Sequence, residues 1–209
     1  MVARHASPLE ALLVDERFDG EINPFEPMSR HTTYRIGGAG PLFSPASTRW
    51  ARSRACSKRA RPWARNGTSS AGARTCLSPM SVDAAVIVLG RDFRSMRYDE
   101  EKSHLMLGAG VPLSAAVQEA FRRSLAGLEF AVGTPGSVGG ALRMNAGSRD
   151  EWLGARVESV TSFSAEGGLV RRHGSEIEWG YRCSSFPADE ILVECELNME
   201  PADFYIRGK

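Results

Sequence analysis

Between Gly127 and Gly147 the chain reads GLEFAVGTPGSVGGALRMNAG, with six glycines and one proline in 21 residues. Ordering a glycine costs about 1 kcal/mol more than ordering an alanine. A segment that accepts this cost repeatedly needs positive φ, or needs its backbone pressed against something. The run Gly133, Thr134, Pro135, Gly136, Ser137, Val138, Gly139, Gly140 gives way to Ala141, Leu142 and Met144, so a loop feeds a helix or a strand. Main-chain N–H groups in such a loop meet no side chains in the way and suit an anion or a flat polar ring. A glycine-rich turn between two core elements is the plainer alternative. The spacing is not the GxGxxG of a dinucleotide-binding βαβ unit.

At 209 residues the chain can bury a good core in one large or two small domains. Its 42% hydrophobic and 24% charged residues are those of a soluble globular protein. No run approaches the roughly 18 apolar residues of a membrane span. The start, MVARHASPLEALLVDERFDG, has no apolar stretch behind a basic one, so no secretion signal is expected. Cys56, Cys76, Cys183 and Cys195 form no CxxC pair and have no histidine at ligand spacing. Free thiols in a reducing cytoplasm, and no metal, are the expectation.

Charge is unevenly spread. Eight of the 26 basic residues lie between Ser47 and Ser81 with no acid among them, leaving 18 basic against 25 acidic elsewhere. This stretch, STRWARSRACSKRARPWARNGTSSAGARTCLSPMS, shows neither helical nor alternating periodicity. Arg49 to Arg65 with Trp50 and Trp63 could serve nucleic acid through phosphate contacts and stacking. A basic linker is plainer.

In chain order, residues 1–23 carry an amphipathic helical pattern (Leu9, Leu12, Leu13) and a turn at Asp19-Gly20. His31 to Gly38 reads as a strand running into a glycine pair, and Val82 to Gly90 as an apolar strand. A polar turn at Tyr98 to Lys102 precedes a strand at His104 to Gly110. Gly108-Ala109-Gly110 is at best a turn near a cofactor. Pro112 opens an amphipathic helix with Leu113, Ala116, Val117, Ala120 and Phe121 inward. Val157 to Phe163, Gly168 to Arg172 and Ile191 to Met199 look like successive strands of an antiparallel meander. Between the last two lies Trp179-Gly180-Tyr181-Arg182-Cys183-Ser184-Ser185-Phe186. A Tyr-Arg pair at a strand end is commonly a surface arginine in a salt bridge.

The wording GLEF-x-x-G-x-PGSVGGA-x-x-MNAG resembles the flavin-binding segment of UDP-N-acetylenolpyruvoylglucosamine reductases. Trp179 to Phe186 is similar to that family's [FW]-x-Y-R-x-S-x-F, in the right order downstream. His31 to Gly38 resembles its N-T-x-R-I-G-G opening, with His31 where asparagine is usual. Ser148-Arg149-Asp150-Glu151 stands where the family has A-Y-G-x-E, with Glu151 as the counterpart of that glutamate. The resemblance covers residues 31–46 and 82–199.

The resemblance implies an α+β, two-subdomain PCMH-type FAD-binding fold, without the family's C-terminal substrate domain. Residues 1–23 would be an N-terminal helix, 24–90 the first FAD-binding subdomain and 91–205 the second. Gly133, Thr134, Pro135, Gly136, Ser137, Gly139 and Gly140 would line FAD, with Asn145 at the ring end. Arg182 would be catalytic and, with Tyr181, would bind substrate. A guanidinium fits a carboxylate at two points and polarises the adjoining double bond. The implied activity is that of a cytoplasmic UDP-N-acetylmuramate dehydrogenase in peptidoglycan precursor synthesis. There NADPH reduces FAD, which reduces UDP-N-acetylglucosamine enolpyruvate. The family's proton-donating serine and late glutamate belong to a third domain, so Ser184 and Ser185 are not assigned that role.

The family also has a G-x-G-[ST]-N loop where the basic stretch lies. Read in a shifted frame, Gly67 to Ser81 can spell Tyr-Val-Val-Gly-Gly-Gly-Thr-Asn-Leu-Leu-Val-Ala-Asp-Glu, so a compensated pair of frameshifts is a third reading. Two alternatives to the enzyme stand: a flavoprotein fragment that binds FAD without turnover, and a basic nucleic-acid-binding module, the latter ranking last.

Overall fold

The computed structural model describes residues 20–30, 39–45, 68–69, 86–164 and 167–202. The amphipathic pattern up to residue 19, the expected strand at 31–38 and most of 47–81 lie outside the described residues. Strand β1 (Gly20–Pro27) begins inside the segment expected as an N-terminal helix, so residues 20–23 are extended.

β1 pairs antiparallel with β2 (Ala39–Pro45), and β3 (Thr68–Ser69) and β2 flank β4 (Val86–Ile87) in parallel. The order is β1-β2-β4-β3. The β1–β2 register slips between Asn23 and Glu26, leaving Pro24 and Phe25 opposite Pro41. Prolines cannot donate to a ladder, so they collect where it is broken.

The second sheet is antiparallel: β5 (Met96–Asp99), β6 (His104–Gly108), β8 (Val157–Ser164), β9 (Gly168–His173) and β12 (Ile191–Asn198). Between β6 and β8 come helix α1 (Leu113–Arg122), β7 (Leu125–Ala126) and helix α2 (Val138–Arg143). β10 (Trp179–Gly180) and β11 (Cys183–Ser184) form a small hairpin, and β13 (Glu200–Pro201) pairs with β7. The sheet order is β5-β6-β12-β8-β9. The expected strands are present, but they do not form a meander. After the β8–β9 hairpin the chain returns past β8 and inserts β12 between β8 and β6.

One face of this sheet is the core. Leu105, Leu107, Val160, Cys195 and Leu197 are buried there, in one cluster with Leu113, Ala116 and Ala120 of α1 and Val138 and Leu142 of α2. Phe121, expected on the inner stripe of α1, is 64% exposed. The alternate residues bear a polar ladder. Glu196 accepts from His104 Nδ1 (2.9 Å), Ser159 Oγ (3.0 Å) and Arg171.

Gly108 and Gly110 serve packing. A Cβ on Gly108 would sit 2.2 Å from the Phe93 carbonyl oxygen, and Gly110 N donates to that oxygen at 2.8 Å. Among the described residues Cys183 and Cys195 are free thiols; burial holds the Cys195 thiol protonated, far above its ordinary range. No described helix is long and apolar enough to cross a membrane.

Candidate functional site

The site is built at the two ends of α2, which at 1.5 Å per residue are about 9 Å apart. At its N-terminal end the glycine segment is laid along residues 109–113. Leu113 N donates to Gly136 O, Val138 N to Val111 O, and Gly139 N to Ala109 O, at 2.8–2.9 Å. Ser137 caps the helix, its Oγ accepting from Gly140 N at 3.3 Å. Thr134 N donates to Ala131 O at 3.0 Å.

The bend therefore spends several donors on holding its own shape, as buried backbone must. The amides of Gly133 and Gly136 make no hydrogen bond among the described residues. These two glycines have φ of +77° and +123°, and a Cβ on either would meet nothing within 4 Å. Their identity answers to conformation and leaves bare backbone facing outward. Gly133 and Pro135 are exposed, and Thr134, Gly136, Ser137 and Gly140 are half-buried. Gly139 is buried with its N–H committed to Ala109 O.

The C-terminal end is held by side chains. Arg143 donates through Nη1 to Phe186 O (2.9 Å) and Pro187 O (2.8 Å), and through Nη2 to Glu190 O (2.6 Å). Its own carbonyl accepts from Ser184 Oγ at 2.8 Å. Burial makes the Arg143 charge harder to keep, and Glu190 and Asp189 nearby oppose that effect. Asn145, buried with φ +42°, donates from Nδ2 to Gly180 O (2.9 Å) and accepts at Oδ1 from Gly154 N (3.0 Å). Asparagine tolerates this left-handed conformation better than most residues. The residue expected at the flavin ring end thus ties two backbone segments together.

What Arg143 and Asn145 hold is the β10–β11 hairpin. Its two-residue tip is Tyr181-Arg182, flanked by Trp179 paired with Ser184 and Gly180 with Cys183. Tyr181 is 85% exposed. Arg182 adopts φ +57°, a conformation that costs a residue with a Cβ about 1–2 kcal/mol. Its guanidinium lies 5.6 Å from the Tyr181 ring centroid and makes no ion pair among the described residues. The salt-bridged surface arginine considered from sequence is not what the hairpin carries.

A cavity of about 650 Å³ opens here. One wall is the hairpin, from Trp179 to Arg182; the other is Asn145, the turn from Gly147 to Arg149, and Trp152. Trp179 stands edge-on to Phe186 (5.8 Å, 81°) and donates from Nε1 to Gly174 O. Gly154 lets that indole in, since a Cβ there would fall 2.3 Å from the ring. The structure brings Asn145, Tyr181 and Arg182 onto one cavity, while the glycine bend at residues 133–140 does not line it. Sequence reading missed Arg143, Trp152 and Arg149. Arg143 had a signal, as the one charge in an otherwise small and apolar helix. Among the described residues no three His, Cys, Asp or Glu side chains are grouped to hold a metal.

Residues 51–172 match the family of FAD binding domains. The fold and the matched segment define an FAD-binding-domain protein with mixed α and β elements. The chain is 36% identical over 179 residues to the UDP-N-acetylenolpyruvoylglucosamine reductase of Heliobacterium modesticaldum, an alignment covering 84% of this chain and 55% of that protein. It is 35% identical to the Pelobacter propionicus enzyme of the same name, over 84% of this chain and 58% of that one. The crystal structure of the Thermus caldophilus reductase superposes with TM-score 0.67 at 28% identity, covering 88% of this chain and 64% of that one. A glucose dehydrogenase, Phl p 4.0202, shares the fold at TM-score 0.59 and 15% identity. The chain belongs to the UDP-N-acetylenolpyruvoylglucosamine reductase family. It spans 55% of the length of the Heliobacterium relative.

Proposed function

We propose that this chain supplies the FAD-binding part and the substrate arginine of an NADPH-driven reduction of UDP-N-acetylglucosamine enolpyruvate to UDP-N-acetylmuramate. The observation that carries the reading is Arg182. It is raised on a hairpin tip in a strained conformation, without an ion-pair partner among the described residues, and lines a cavity together with Asn145 and Gly147. Strain of this kind persists where the surroundings enforce it, and here the Asn145 amide on Gly180 O and the Arg143 carbonyl on Ser184 Oγ hold the two strands beside the tip.

The residues fit FAD. Gly133 and Gly136 present backbone that a Cβ would otherwise fill, with amides unspent among the described residues. Thr134, Pro135 and Ser137 would stand beside it, and Gly140 near the start of α2. Gly139 and Asn145 would also border it, each with its hydrogen bonds already made within the chain. The two sheets would act as two subdomains with the cofactor in the cleft. When bound, FAD would accept hydride from NADPH and pass it to the enolpyruvyl double bond.

The chain's own residues would orient and polarise. Arg182 would take the enolpyruvyl carboxylate in a two-point contact and stabilise charge as it builds on the carboxyl side. Tyr181 would lie along the guanidinium, and Trp152 and Trp179 would give the cavity dry walls. The expected compartment of this work is the cytoplasm.

NADPH oxidation that requires UDP-N-acetylglucosamine enolpyruvate, lost by about 1,000-fold in Arg182→Ala, is the expected result. Flavin absorbance without such turnover favours the second reading, an FAD-binding protein without activity. Salt-sensitive DNA binding without flavin would favour the basic module of residues 49–65, which lies outside the described residues.

A further inference from the structure

Two tight turns line the cavity, and each carries an arginine. One is the hairpin tip with Arg182. The other is Arg149-Asp150, closed by Ser148 N donating to Glu151 O at 2.7 Å and by Glu151 N donating to Ser148 Oγ at 3.3 Å. A bridge between Gly147 and Trp152 fixes the base of this second turn. Both arginines line the cavity. Neither makes an ion pair among the described residues, and Arg149 makes none with its neighbours Asp150 and Glu151.

Two guanidiniums lining one cavity favour an anionic ligand, and rings beside them lower the effective dielectric once a ligand covers the site. Trp152 and Trp179 are such rings, and Tyr181 is a third. A ligand with two anionic groups and a flat or sugar ring between them would pair with both guanidiniums and use all three rings.

We propose that Arg149 is a second anion-binding residue of this cavity, taking the diphosphate of a nucleotide-sugar substrate while Arg182 takes its carboxylate. The assignment rests on the substrate reading above for the identity of the two anions. Arginine suits the task because its planar fork meets phosphate oxygens at two points, whereas lysine offers a point charge.

Calorimetric titration of the full chain with UDP, which carries the diphosphate and no carboxylate, isolates the second anion. Arg149→Ala weakens UDP about tenfold, Arg149→Lys recovers part of that loss, and Arg182→Ala changes it less than about threefold. Circular dichroism checks that each variant is folded. The proposal is overturned if the unaltered chain does not bind UDP, if Arg149→Ala binds it as before, or if Arg149→Ala and Arg182→Ala weaken it equally. Flavin absorbance is read separately. UDP binding by a protein that takes up no FAD keeps Arg149 and removes the flavin reading, and the reverse removes Arg149 alone.

Discussion

The two ends of α2 solve opposite problems with opposite means. At the N-terminal end the main chain fastens itself to residues 109–113, and two glycines at positive φ are left facing outward. At the C-terminal end Arg143 and Asn145 do the fastening, and what faces outward is a tyrosine and an arginine. One end displays backbone and the other displays side chains. The helix between them sets their separation. A site for a long cofactor and a charged substrate needs both kinds of surface at a fixed spacing.

The contrast breaks most readily at Asn145. Asn145→Ala removes two hydrogen bonds from buried backbone and puts alanine at φ +42°, and a loss of about 3 kcal/mol is expected from urea unfolding. Gly154→Ala forces a Cβ toward the Trp179 ring and should cost about 2 kcal/mol, with a blue or red shift of indole emission as that wall moves. Gly136→Ala meets no neighbour and pays only for its φ, about 1 kcal/mol. Equal losses for the last two would erase the distinction between the ends.

The smallest expected effect is on pH dependence. Burial alone would raise the Glu190 carboxyl, but hydrogen bonds from Arg172 and Ser162 outweigh it and hold the carboxyl below its ordinary value of 4.5. Glu196 is held low in the same sense by His104, Ser159 and Arg171, against its own burial. A depressed carboxyl contributes stability that is complete above its unfolded pKa and is lost as pH falls through the folded one. Unfolding midpoints should therefore be flat near neutrality and fall below about pH 4.5. Glu190→Gln should make that acid limb shallower.

Much of the second sheet was legible because its strands alternate or run apolar over their full length, as in Val157 to Ser164 and Ile191 to Asn198. Their order was not. Insertion of β12 between β6 and β8 is set by pairing across some 30 to 90 residues, which local periodicity does not encode. Phe121 shows the same limit, since its place on the helical stripe did not decide whether anything covers it. At the site, the glycine bend announced itself through composition. The work of Asn145 and Arg143 did not, because it consists of contacts to carbonyls and amides, which carry no residue identity. Arg149 gave no such signal. Its place on the cavity came from the fold.

The most direct test is an FAD titration of the unaltered chain beside Gly136→Ala and Arg182→Ala, read by quenching of flavin fluorescence. If the outward backbone of the bend holds the cofactor and Arg182 serves the substrate, the unaltered chain binds FAD. Gly136→Ala then binds it at least about tenfold more weakly while remaining folded, and Arg182→Ala binds it nearly as well as the unaltered chain. A folded chain that takes up no FAD, or a Gly136→Ala variant that binds as tightly as its parent, would contradict this assignment.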